Sequence, residues 1–283
     1  MKRIAVVMSA VLICMLIVSC ESQNVKDAKE AFEEGKYDKV IECLEKEEKL
    51  NDELTEDLYV AKAHVAYDNG KYVEAIDNAI KVEDGKDLEV YKMAEEEIVK
   101  TSIKKGKAKT LLQAIKVDPY IATYAAGEIT KACDELDYNA FKVLEKLAKK
   151  LPDGDVKKQL AEYSEDNKIH KAEAFMIGDW EWQFEGYKKL TKVNVISYNN
   201  NLVGRITEVG DYLEDYHYKK DDVYWSDFEF ENSKKYLCYN LTRYQDGDVA
   251  GRTASGTIDY KNETITINAT GASNPIRKWR KVS

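Results

Sequence analysis

The chain has 283 residues, 43 Lys+Arg against 52 Asp+Glu, and a net charge of −9. That length gives room for one large domain or two ordinary ones. The acidic balance argues against nucleic acid, which is gripped through a basic footprint.

In chain order, the first element is "MKRIAVVMSAVLICMLIVSC". Lys2 and Arg3 precede an uncharged, mostly apolar run over residues 4–18, short for a spanning helix, which needs about 20 apolar residues. This pattern is that of a secretory signal over 1–19. Its ending, "LIVSC", resembles the lipobox of bacterial lipoproteins. The resemblance implies that Cys20 becomes the lipidated first residue of a mature chain. It also implies a cell-envelope protein, lipid-anchored on the extracytoplasmic side of a bacterial membrane. In "CESQNVKDA" about four residues separate Cys20 from the first predicted helix, roughly 14 Å when extended. The helices are therefore expected close to the bilayer.

Residues 20–171 are expected to form helical hairpins. Ala28, Ala31 and Phe32 share one face before Gly35; Tyr37, Val40, Ile41 and Leu44 share one after it. The same phrase returns as Ala63, Ala66 and Tyr67, then Gly70, then Tyr72, Ala75, Ile76 and Ala79. Spacings of three and four mark amphipathic helices, and glycine supplies the turn. A blurred third copy turns at Gly106 and ends at Pro119, a fourth covers residues 135–153, and a last helix lies near 156–171. A period near 34 residues with this small–aromatic–glycine–aromatic pattern resembles the tetratricopeptide repeat (TPR). The resemblance implies an α-solenoid whose first helices line a groove for a protein partner. The groove-facing residues would be Asp57, His64, Asp68, Glu89, Lys92, Glu96 and Lys100.

Composition then shifts. All four tryptophans, and every arginine except Arg3, lie beyond residue 170. Over 172–283 the period becomes two: "WEWQF", "YLCYNLT" and "TITI" alternate, separated by turns such as "NNN" and "NSKK". Eight or nine short strands predict an antiparallel β-barrel or β-sandwich. Gly178 and Trp180 match the Gly-x-Trp opening of lipocalin-like barrels, which the domain resembles on that motif. The resemblance implies a closing-strand cation over Trp180, from Arg277 or Arg280.

Cys43, Cys133 and Cys238 are scattered and read as small buried residues rather than a disulfide framework or metal set. The three histidines are isolated, and HExxH, GxSxG and phosphate-loop motifs do not occur. No metal, cofactor or catalytic activity is expected. The leading expectation is a membrane-anchored, non-enzymatic protein-interaction or scaffolding module. The alternative is a small-molecule or glycan binding protein with its site in the β domain.

Overall fold

A computed structural model describes residues 21–243, 248–269 and 276–282. The signal sequence and Cys20 lie outside the described residues. Among those residues no helix is long and apolar enough to cross a membrane. Ten helices come first: α1 (Gln23–Glu33), α2 (Tyr37–Leu44), α3 (Asp52–Asp68), α4 (Tyr72–Ala79), α5 (Glu89–Lys105), α6 (Lys109–Val117), α7 (Ile121–Asp134), α8 (Tyr138–Lys150), α9 (Asp155–Asp166) and α10 (Lys168–Met176). Eight strands follow: β1 (Gly178–Trp182), β2 (Lys192–Tyr198), β3 (Asn201–Glu208), β4 (Val223–Asn232), β5 (Lys235–Arg243), β6 (Val249–Asp259), β7 (Thr264–Asn268) and β8 (Ile276–Val282), with a short α11 (Asp211–Glu214) between β3 and β4.

The repeated phrase is a repeated turn. Gly35 and Gly70 have φ of +69° and +70°. After each, a backbone N–H reaches back over the helix end: Lys36 to the Ala31 carbonyl and Lys71 to the Ala66 carbonyl, both at 2.8 Å. These are the bonds that satisfy carbonyls left open at a helix C-terminus. Aromatic pairs close over both turns, Phe32 with Tyr37 and Tyr67 with Tyr72, at 5.9 and 5.3 Å between ring centres. Gly106 turns α5 into α6 with φ +59°. The fourth turn makes the same bond, Asp137 N–H to the Ala132 carbonyl at 3.0 Å, but its left-handed residue is Leu136 (φ +61°). Short polar side chains cap the starts of α3 and α8. Asn51 Oδ1 accepts from Leu54 N–H at 2.8 Å, and Asp137 Oδ1 accepts from Asn139 N–H at 2.7 Å.

The described chain falls into two compact units. One runs to Ser102 and includes Lys109–Tyr124; the other holds Ile103–Ala108 and everything from Ala125. In the first, the buried faces are those expected: Ala28, Ala31, Val40 and Leu44, then Ala63, Ala66, Ala75, Ile76 and Ala79.

The second unit contains the barrel. Its strands run β1 to β8 in sequence order, each antiparallel to the next, and β8 pairs with β1 to close the ring. The expectation of eight or nine strands in a barrel or a sandwich thus resolves to a closed eight-stranded barrel. Alternate residues point inward, and at this strand number side chains fill the interior. Trp180, Trp182, Trp225 and Trp279 are all fully buried. Close packing against large rings needs residues without a Cβ: one at Gly256 would stand 2.0 Å from the Tyr236 ring.

The change of period comes slightly later than the sequence suggests. Phe175 and Met176 still belong to α10. The barrel caps that helix: Trp180 Nε1 donates to the Met176 carbonyl at 2.7 Å, and Lys281 Nζ donates to the Phe175 carbonyl. Two orphan carbonyls of α10 are thereby satisfied from β1 and β8, so helix and barrel join at a rigid corner.

Candidate functional sites

In the helical unit, α3 and α5 gather most of the anticipated groove residues. His64 stacks flat on Tyr37, 4.0 Å between ring centres and 9° from parallel. Burial holds its imidazole below the ordinary histidine range, against the opposing pull of Asp68 and Glu89. Asp57 lies half-buried; desolvation, then the charge of Glu53, holds its carboxyl above the ordinary range despite Lys29. Glu96 and Glu97 of α5 and Asp68 of α3 all act on Tyr67. His64 therefore stands near Asp68 and Glu89, and Glu96 lies near the neighbouring Tyr67. Among the described residues, neither Asp57 nor these three carboxylates form an ion pair. Lys92 is engaged instead by Asp87 at 3.5 Å, and Lys100 is exposed.

Beneath this unit's surface lies a set of titratable groups the sequence reading missed. Asp118 is buried and accepts from Tyr91 OH (2.9 Å), Lys86 Nζ (3.1 Å) and Tyr120 N–H (3.0 Å). Burial raises its pKa, but these donors outweigh burial and leave it below the usual range. Glu95 is buried too, and its Oε1 has no hydrogen-bond partner among the described residues. Desolvation, reinforced by Asp118 and opposed by Lys86, pushes its pKa up to about 7. The signal was in the spacing: Tyr91, Glu95, Ile98 and Ser102 share one face of α5, and all four are buried.

In the barrel, the anticipated closure of an arginine over Trp180 is corrected. Arg277 is buried with its guanidinium over Trp182 (5.4 Å) and Tyr224 (5.9 Å), and it donates to the Tyr224 hydroxyl. Arg280 points outward and pairs with Glu181 at 3.2 Å. The cation over Trp180 is Lys281, 5.6 Å from that ring, 4.9 Å from Phe175 and 5.4 Å from Tyr138. Strand phase explains this: Trp180 pairs with Lys281, and Trp182 pairs with Trp279. Desolvation brings the Lys281 ammonium down to about 8. Inward positions 277, 279 and 281 on β8 were readable from alternation alone.

The barrel's middle is an aromatic stack. Trp279 packs on Trp182 (5.7 Å, 16°) and edge-on to Trp225 (4.7 Å, 81°). The indole N–H groups of Trp182 and Trp279 are buried without a hydrogen-bond partner among the described residues. Toward one end, Phe184, Tyr187, Tyr212 and Tyr216 form a continuous run of ring contacts leading from Trp182.

Cys43, Cys133 and Cys238 are buried free thiols, and burial pushes the latter two up to about 12. Thiols so protonated are poor nucleophiles. No protein-family model matches the chain, and no curated protein or solved structure matches it.

Proposed function

We propose that the helical hairpins form the docking module of a lipid-anchored envelope protein, and that they hold a protein partner presenting a basic segment. The observation that carries this reading is the pair α3 and α5, where Asp68 and Glu89 act on His64, Asp68 and Glu96 act on Tyr67, and none of the three carboxylates forms an ion pair among the described residues. Carboxylates left unneutralised steer and orient a cationic partner more than they add raw affinity. The TPR-like phrasing of the hairpins supports the same role, since stacked hairpins leave an extended binding surface.

The test is crosslinking in intact cells followed by pull-down, comparing wild type with a chain carrying Asp68→Lys, Glu89→Lys and Glu96→Lys. A partner captured by wild type is expected to be lost from the variant, and its capture is expected to weaken as salt rises. Capture that survives both changes contradicts the reading.

A second reading places a small-molecule site in the barrel. The unpartnered indole N–H groups of Trp182 and Trp279, beside the buried Arg277, favour it. Native mass spectrometry of the full chain would reveal a retained ligand, and an unliganded mass throughout would count against it.

A further inference from the structure

A groove in the second unit belongs to neither of these sites. It has a volume of about 350 Å³ and is formed by the end of α7, by α10, by the β2–β3 turn and by β4. That volume is at the small end of ligand sites. Its floor is apolar: Leu202 with Phe228 and Phe230, whose rings lie 6.5 Å apart and 18° from parallel. Asp134 and Glu173 also line the groove, with His170 and the polar Ser197, Asn200 and Asn201, and among the described residues no lysine or arginine does.

The rim carboxylates are poorly compensated. Glu173 is half-buried, and desolvation holds its pKa above the ordinary carboxylate range. The His170 ring stands 4.0 Å from it, and among the described residues no lysine or arginine pairs with it. Asp134 accepts from the Tyr163 hydroxyl and forms no ion pair among the described residues. A desolvated carboxylate beside an aromatic floor suits a ligand with both a positive charge and an apolar body.

One departure from the repeat points to the same place. The three earlier hairpins turn on glycine; the fourth turns on Leu136, whose side chain lines this groove. A leucine held in the left-handed region is uncommon, and here it completes the apolar wall.

We propose that this groove binds a small arylalkylamine-type cation, its ammonium held by Glu173 and Asp134 and its ring laid on Phe228 and Phe230. The site is separate from the hairpin face, and its floor rests on the barrel core through contacts of Phe228 and Phe230 with Tyr236. The size fits one aromatic ring and a short chain; the charge excludes a carboxylate ligand.

The experiment is calorimetric titration of the full chain with phenethylamine, with phenethyl alcohol as the neutral analogue and 3-phenylpropionate as the anionic one. Phenethylamine is expected to bind about tenfold more tightly than the alcohol, and the anion not at all. Glu173→Gln should remove most of that advantage while the alcohol's affinity stays the same. Because the alcohol reports an intact groove, this outcome separates a lost charge from a lost fold. Equal affinity for amine and alcohol, an unchanged amine affinity in Glu173→Gln, or no amine binding at millimolar concentration would each overturn the proposal.

Discussion

The two units bury apolar surface in opposite ways. In the first unit the buried face is built mainly from alanine, valine, isoleucine and leucine, with Tyr91 the one fully buried ring among that unit's described residues and the rings of Phe32, Tyr37, Tyr67 and Tyr72 only half-buried at the turns. In the barrel four tryptophans, Tyr224 and Tyr236 are fully buried. Small side chains let helix approach helix, and each hairpin contributes a modest, repeated share. A closed eight-stranded ring leaves an interior that large rings must fill. The first arrangement spreads stability over many residues, and the second concentrates it in a few.

That contrast predicts which changes hurt most. Trp279 touches Trp182, Trp225 and Tyr224. Trp279→Ala should cost about 3–5 kcal/mol, seen as a lower urea midpoint in tryptophan fluorescence. A loss under 1 kcal/mol would mean the barrel core repacks freely.

Each unit also holds a desolvated titratable group, Glu95 in the first and Lys281 in the second, that should tune its stability with pH. Glu95 titrates near 7 in the folded state against 4.5 when exposed. The native state therefore holds its proton over that window, and stability falls as pH rises from 4.5 to 7. Glu95→Gln should remove the decline, gaining up to about 3 kcal/mol over wild type at pH 8 and nothing at pH 4.5. A gain that does not change with pH would contradict the assignment.

Lys281 gives a smaller effect of the opposite slope. Its folded pKa is about 8 against 10.5, so the unfolded chain binds the extra proton between those values and stability rises with pH there. Measured against Lys281→Met, wild type should improve by at most about 3 kcal/mol between pH 8 and 10.5, less to the extent that water reaches the amine. A difference flat with pH would show that the ammonium is not desolvated.

The smallest effects fall at the hairpin turns. A Cβ at Gly35 or Gly70 would meet nothing within 4 Å, so Gly35→Ala and Gly70→Ala test backbone strain alone. Each should cost about 1 kcal/mol, read from thermal melts at 222 nm.

Much of this was legible before the structure. The hairpin faces followed from spacings of three and four, and the strands from alternation between Trp180 and Trp279. The barrel's closure was not legible, because β8 pairing with β1 is a long-range choice that local pattern leaves open. Arg277 and Arg280 were both offered as the cation over Trp180, but Lys281 takes that place and Arg277 lies over Trp182, a choice that register decides. Glu95 went unread because a charged residue on a helix is taken as solvated, although its phase matched Tyr91 and Ile98. The Glu173 groove joins residues from the end of α7, α10 and two strands, which no stretch of sequence sets side by side.

The claim beneath these points is that the two units are stabilised separately. Because all four tryptophans lie in the barrel, one urea titration can follow both units: fluorescence reports the second unit, and ellipticity at 222 nm reports the helices of both, α1–α6 of the first and α8–α10 of the second. Two steps in ellipticity are expected at pH 8, one coinciding with fluorescence and one apart from it, with Glu95→Gln moving only the step that stands apart and leaving fluorescence in place. Superimposed curves that shift together in Glu95→Gln would contradict that claim.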